Sequence, residues 1–220
     1  MADKSGVVIA LDAFQTELGA LLKPLGFRRK GRAFNRQTET GVVQVIALQA
    51  GPHEIGPPLP ASVASLRPNL YGKFTINLGV YVEEVFARTN PDHLPRGAIS
   101  DAHCSIRTRL SHIMSGEDVW WPLPTPCDLS QELTAAVLNK GLSFLDQFSS
   151  RDQIVEGWVR FNENELLITR VARLDVAMIL LRNGDREGAR DLFQDHLAQA
   201  DGPANHVEYV RELAIRLGLG

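Results

Sequence analysis

His103, Cys104, Arg107, Arg109 and His112 form a cluster of side chains whose types could do chemistry. A thiol beside a histidine is the minimum for a nucleophile and its base. But His103 and Cys104 are neighbours, and neighbours on a strand point to opposite faces. His112 could return to Cys104 only through a turn. Cys104 therefore reads as a small buried hydrophobe, and no catalytic residue is assigned. The second set is basic: Arg28, Arg29, Lys30, Arg32 and Arg36 crowd one short stretch. The functional reading is a phosphate or nucleic-acid contact, whereas the bland reading is an edge strand kept from aggregating by charge. Arg28, Arg36, Arg107 and Arg109, with the adjacent pair Trp120 and Trp121, are the candidate ligand-binding residues. A concave arginine cleft would favour an enzyme, and a flat apolar or acidic patch a protein binder.

Other chemistry has no foothold in the sequence. It contains no Gly-rich phosphate loop, no Gly-x-Ser-x-Gly elbow, and no Cys-x-x-Cys or His-Glu-x-x-His spacing. Neither cofactor nor metal is expected. The 220 residues are 44 % hydrophobic and 22 % charged, with a net charge of -3. No whole-chain field draws the molecule to nucleic acid or membrane. There is no apolar run of membrane-spanning length, and the first residues lack a signal-peptide pattern. The expected location is cytoplasmic, with Cys104 and Cys127 as free thiols.

The element that must position these residues is Lys73–Val82. Phe74, Ile76, Leu78, Val80 and Val82 alternate with Thr75, Asn77, Gly79 and Tyr81, the period of a strand with one apolar face. Gly79, on the other face, invites close approach to the backbone. Before it, Leu11, Phe14, Leu18 and Leu22 mark a helix over roughly Val7–Lys23, capped by Ser5 and ended by Pro24 and Gly26. The stretch Gly26–Gln37 reads as one strand with a bulge at Gly31, because Phe27 and Phe34 are out of phase. Val42–Gln49, apolar on both faces, reads as its interior partner in an antiparallel hairpin. Ala50–Gly72 is a proline-rich loop. Cys104–Leu110 alternates as a fourth strand. Asn77, Gln44 and Gln49 suggest cross-strand hydrogen bonds.

From Asp128 onward the pattern is helical. Asp128 is the expected N-cap with Gln131 at the box position. The first stripe runs from Leu129 to Phe148, interrupted by Lys140. A second helix starts near Ser150 or Asp152, and a third runs from about Asn164 to Arg182. Asn183-Gly184-Asp185 separates it from a fourth, and a fifth carries Val207, Val210, Leu213 and Leu217. The pair around Gly184 resembles a tetratricopeptide-like hairpin, too short for a solenoid. The expected fold is α+β: an N-terminal helix on an antiparallel sheet of about four or five strands, then a C-terminal helical bundle. Residues 1–127 would form the α+β domain and residues 128–220 an appendage packed on it.

Leu22-Lys-Pro-Leu-Gly-Phe-Arg-Arg-Lys-Gly-Arg-Ala-Phe-Asn-Arg36, then Val43–Gln49, then Phe74–Val80 occur in an order that resembles the bacterial domain-of-unknown-function family DUF4304. Cys104 to Arg109 and Trp120-Trp121 also resemble that family's pattern. The resemblance covers roughly Leu11 to Leu123 and leaves out the C-terminal helices. It departs at Ala50, where the family pattern commonly has a serine. It implies a fold and no activity. The expected function is a non-enzymatic protein-binding module, with neutralisation of a bacterial toxin as one concrete form. The alternative is an enzyme or binder that acts on a phosphate-bearing or nucleic-acid ligand through the arginines.

Overall fold

The computed structural model describes residues 5–52, 69–162, 169, 172–199 and 204–219. The chain opens with α1 (Gly6–Leu22), capped by the Ser5 hydroxyl, which accepts from the Val8 N–H. Leu11, Phe14, Leu18 and Leu22 are buried on one side of α1, as their three- and four-residue spacing requires. A single 3-10 turn, Lys23–Leu25, leads to Gly26 in the left-handed conformation, and the chain enters the sheet.

The strands are β1 (Arg28–Lys30), β2 (Ala33–Glu39), β3 (Val42–Ala50), β4 (Lys73–Val82), β5 (Ile106–Arg109) and β6 (Trp121–Pro122). They form one antiparallel sheet in the order β1-β2-β3-β4-β5, with β6 also paired to β4. The stretch Gly26–Gln37 is thus two strands, not one bulged strand. Lys30 pairs with Ala33 across a tight turn, and Gly31 holds the positive φ of 60° which that turn needs. The reversal explains why Phe27 and Phe34 are out of phase yet both buried. The register irregularity lies further on, between Gln37 and Glu39. Of the expected loop Ala50–Gly72, residues 53–68 lie outside the described residues.

Alternation gives the sheet two faces. Phe34, Ile46 and Leu78 lie in one row across the inner face. Val42, Leu48, Phe74, Ile76, Val80, Val82 and Ile106 join them in the main core. Two helices that link strands, α2 (Glu83–Thr89) and α3 (Leu110–Ser115), follow β4 and β5. Next comes α4 (Cys127–Ala136), which passes through a π-helical turn, Val137–Gly141, into α5 (Leu142–Asp146). Its N-cap is Pro126, without a side-chain cap bond; Asp128 sits in the first turn instead. The extra residue of the π turn resets the stripe. Leu133 and Val137 before it, and Phe144, Leu145 and Phe148 after it, all face the core while Lys140 stays exposed.

The last helices are α6 (Arg151–Asn162), α7 (Arg173–Arg182), α8 (Arg186–Ala198) and α9 (Ala204–Arg216). Helix α7 begins at Arg173; before it Thr169 bridges to Arg107 of β5, and Asn164, the start expected from the sequence, lies outside the described residues. Asp185 caps α8 by accepting from the Gly188 N–H at 2.9 Å. Ile154, Val176 and Ile179 enter the main core. Leu174, Phe193, Val210 and Leu213 build a second, smaller one among α7, α8 and α9. Arg151, at the start of α6, is 4 % exposed and clips the helical layer to the sheet. Its guanidinium donates two bonds of 2.7 Å to Glu84, one of 2.7 Å to Glu39 and one of 2.8 Å to the Thr40 carbonyl. Burial pushes the Glu39 carboxyl up, but its bonds to Arg151 outweigh that and hold it below the usual range.

Candidate functional site

The register writes a different pattern on the outer face. Arg28, Asn35, Val45, Gly79 and Arg107 form one row from β1 to β5. Lys30, Ala33, Ala47, Asn77 and Arg109 form the next. Each row begins and ends on a cation and holds mostly small or apolar residues between. The small floor lets another piece of chain lie close to the strands.

That piece is the strap Asn90–Cys104, which follows α2 and includes a 3-10 turn at Asp101–His103. Side chains of the sheet clasp its backbone. Asn35 donates to the Ile99 carbonyl at 2.8 Å and accepts from the Ile99 N–H at 3.0 Å. Lys30 donates to the Gly97 carbonyl at 3.0 Å. Asp101 accepts from Asn77 at 3.0 Å and from Arg107 at 3.1 Å. Asn77 also donates to Gln49 at 2.8 Å, whereas Gln44 is on the inner face and donates to the Leu145 carbonyl. Cys104 sits on Gly79: a methyl at Gly79 would lie 2.7 Å from its Sγ. Burial, followed by the Asp101 charge, pushes the Cys104 thiol up against the opposing pull of Arg107. The group is a packing thiol, not a nucleophile. His103 Nδ1 accepts from the Ser100 N–H at 3.0 Å, and its ring packs edge-on against Phe86.

Beside the strap the outer face stays open as a cleft of about 500 Å³, a size typical of ligand pockets. Arg28 and Lys30 stand at the β1 rim, Gln37 and Tyr81 lie along the strands, and Glu83 closes the far end. Val43, Leu94, Pro95 and Ile99 give the cleft apolar walls. Tyr81 is 4 % exposed. Among the described residues its hydroxyl has no protein partner, although the residue lines the cleft. Burial first, then the charges of Glu83, Glu84 and Cys104, push its pKa up to about 12. Tyr81 is therefore a neutral phenol, able to donate a hydrogen bond, at any physiological pH.

The sequence candidates are dispersed around this site. Arg28 lines the cleft. Arg36 is on the inner face, over the Phe27 ring at 4.6 Å, bonded to Gln44 at 2.8 Å and paired with Asp146. Arg107 is held by Asp101. Arg109 pairs with Asp118 and lies over the Trp120 ring at 5.3 Å. Trp121 is buried against Phe74, with ring centroids 5.9 Å apart. Lys30, Gln37, Tyr81 and Glu83 are the cleft residues that sequence reasoning did not single out. The signal for Tyr81 was its phase: it alternates with the apolar residues of β4 and shares the face of Gly79. Among the described residues, no group of three or more His, Cys, Asp or Glu side chains could hold a metal ion, and no helix is long and apolar enough to cross a membrane.

Residues 64–147 match the model of a family described as a domain of unknown function, DUF4304. The match takes in β4, the strap, β5 and β6. It begins after the Leu22–Arg36 and Val43–Gln49 blocks and continues through α4 and α5, so it starts later than the Leu11 boundary read from the sequence and ends beyond the Leu123 one. It contributes Tyr81, Glu83 and the strap wall to the cleft, while Arg28, Lys30 and Gln37 precede it. No curated protein and no solved structure matches the chain.

Proposed function

We propose that the chain is a non-enzymatic binding module whose partner is a protein with an acidic segment, received along β1 and in the cleft beside it. The observation that supports this reading is the setting of β1. It is an edge strand of the sheet, its Arg28, Arg29 and Lys30 are all exposed, and it lines the cleft. A basic edge deters pairing with arbitrary strands and attracts an acidic partner. A toxin with an acidic surface, neutralised by being covered, is one concrete form of such a partner.

The test is fluorescence titration with poly-glutamate, duplex DNA and single-stranded RNA at low and physiological salt. Poly-glutamate is expected to bind, to weaken as salt rises, and to be lost on Arg28→Glu with Lys30→Glu. The reading fails if poly-glutamate does not bind. Salt-resistant binding of DNA or RNA that the same two substitutions abolish would replace it with the phosphate-ligand alternative.

A further inference from the structure

We propose that the outer-face cleft seats an extended, bipolar peptide segment, with an acidic residue against Arg28 and Lys30 and a basic residue against Glu83. This rests on the protein-binding reading and adds what the partner must look like. Arg28 and Lys30 stand at one end of the cleft and Glu83 at the other. A purely acidic ligand that spans the cleft therefore meets a carboxylate at its far end, whereas a bipolar one meets opposite charge at both. The apolar walls, Val43, Pro95 and Ile99 among them, suit the uncharged residues between.

The register sets the length. Arg28 lies in the row of Gly79, three strand spacings away, and Glu83 lies four residues beyond Gly79. The two backbones are then roughly 20 Å apart by strand spacing and rise. At about 3.3 Å per extended residue that span holds about six residues. An extended backbone brings carbonyls that need donors, and one donor is waiting. The Tyr81 hydroxyl has no protein partner among the described residues, in a side chain that is 4 % exposed. In the seated complex it donates to a main-chain carbonyl of the guest.

The experiment uses the full chain and two labelled hexapeptides that differ in one end residue, Glu-Ala-Val-Ala-Ala-Lys and Glu-Ala-Val-Ala-Ala-Glu, followed by fluorescence anisotropy. The wild type is expected to prefer the bipolar peptide by about tenfold, the scale of one charge-assisted contact. Glu83→Lys should invert that preference, and Arg28→Gln should weaken both peptides. Tyr81→Phe should weaken both with their ratio unchanged. Glu83 and Arg28 are exposed, so these variants keep the fold. The proposal is overturned if the wild type does not discriminate, or if Glu83→Lys leaves the preference as it was. Poly-glutamate bound through Arg28 and Lys30 with no hexapeptide discrimination would sink the bipolar cleft alone. Loss of poly-glutamate binding as well would remove the binding module itself.

Discussion

The inner and outer faces of the sheet are written by the same strands and are covered in opposite ways. On the inner face, Phe34, Ile46 and Leu78 meet helices from both ends of the chain, and side chain packs on side chain in one core. The polar Gln44 there is completely buried and bonded to Arg36, the Leu145 carbonyl and Ser149. On the outer face, small residues let a strap lie against the strands, held largely by side chains that clasp its backbone. The strap stops short of covering the face, and the remainder is a polar cleft with an idle hydroxyl. A face that is packed by helices stabilises the fold; a face that is clasped and left partly open is where a partner can be received.

The largest effect should come from removing the inner face's cover. Leu133, Val137, Phe144, Leu145 and Phe148 share one core with the strands, so residues 128–220 expressed alone should lack a cooperative melt and bind hydrophobic dye. A monomeric fragment with a sharp melt and no dye binding would break the comparison, because the helices would then own a separate core. Next in size is Leu78→Ala. The side chain is fully buried in the central row, and its loss should destabilise the chain by about 2–5 kcal/mol in urea unfolding.

How much was legible follows the same division. The inner face was written in periodicity: five alternating apolar residues from Phe74 to Val82 placed β4, and Leu11, Phe14, Leu18 and Leu22 placed α1 against it. The outer face was legible only as a negative, in Gly79 and the polar residues that alternate with the core. Its cover, Asn90–Cys104, has no period, because a strap clasped by its backbone places few demands on its own side chains. The candidate arginines are dispersed, and three of them are held in ion pairs. Arg36, Arg107 and Arg109 are bound to Asp146, Asp101 and Asp118, and sequence spacing gives no hint of partners such as Asp146, more than a hundred residues from Arg36. Arg151 shows the converse: a lone arginine in a helical pattern proves to be a buried clip.

Gly79→Ala sharpens the comparison at intermediate size. Its methyl would meet Cys104 Sγ at 2.7 Å and Cys104 Cβ at 2.8 Å, so the strap must shift, at a cost of about 1–3 kcal/mol. Cys104→Ala removes the first contact and leaves the second. In a double-mutant cycle it should recover part of the loss; strict additivity would show that the strap does not press on the floor there.

The smallest effect is expected for Tyr81→Phe. At neutral pH the hydroxyl bonds to no described residue, so the unfolding free energy should change by less than about 0.5 kcal/mol, in contrast to the buried, fully bonded Gln44. Alkali should separate the two proteins. Burial and the nearby carboxylates raise the Tyr81 pKa from 10.0 to about 12 in the fold. The folded state therefore keeps this proton after the unfolded chain has begun to release it. The stability tied to the protonated phenol is complete below pH 10 and falls away as pH rises from there through about 12. Phenylalanine has no such proton. Between those limits the wild type should lose stability faster than Tyr81→Phe, with the two curves parallel below. Curves that stayed parallel up to pH 12 would show that the phenol titrates like an exposed tyrosine, and that the cleft does not shield it.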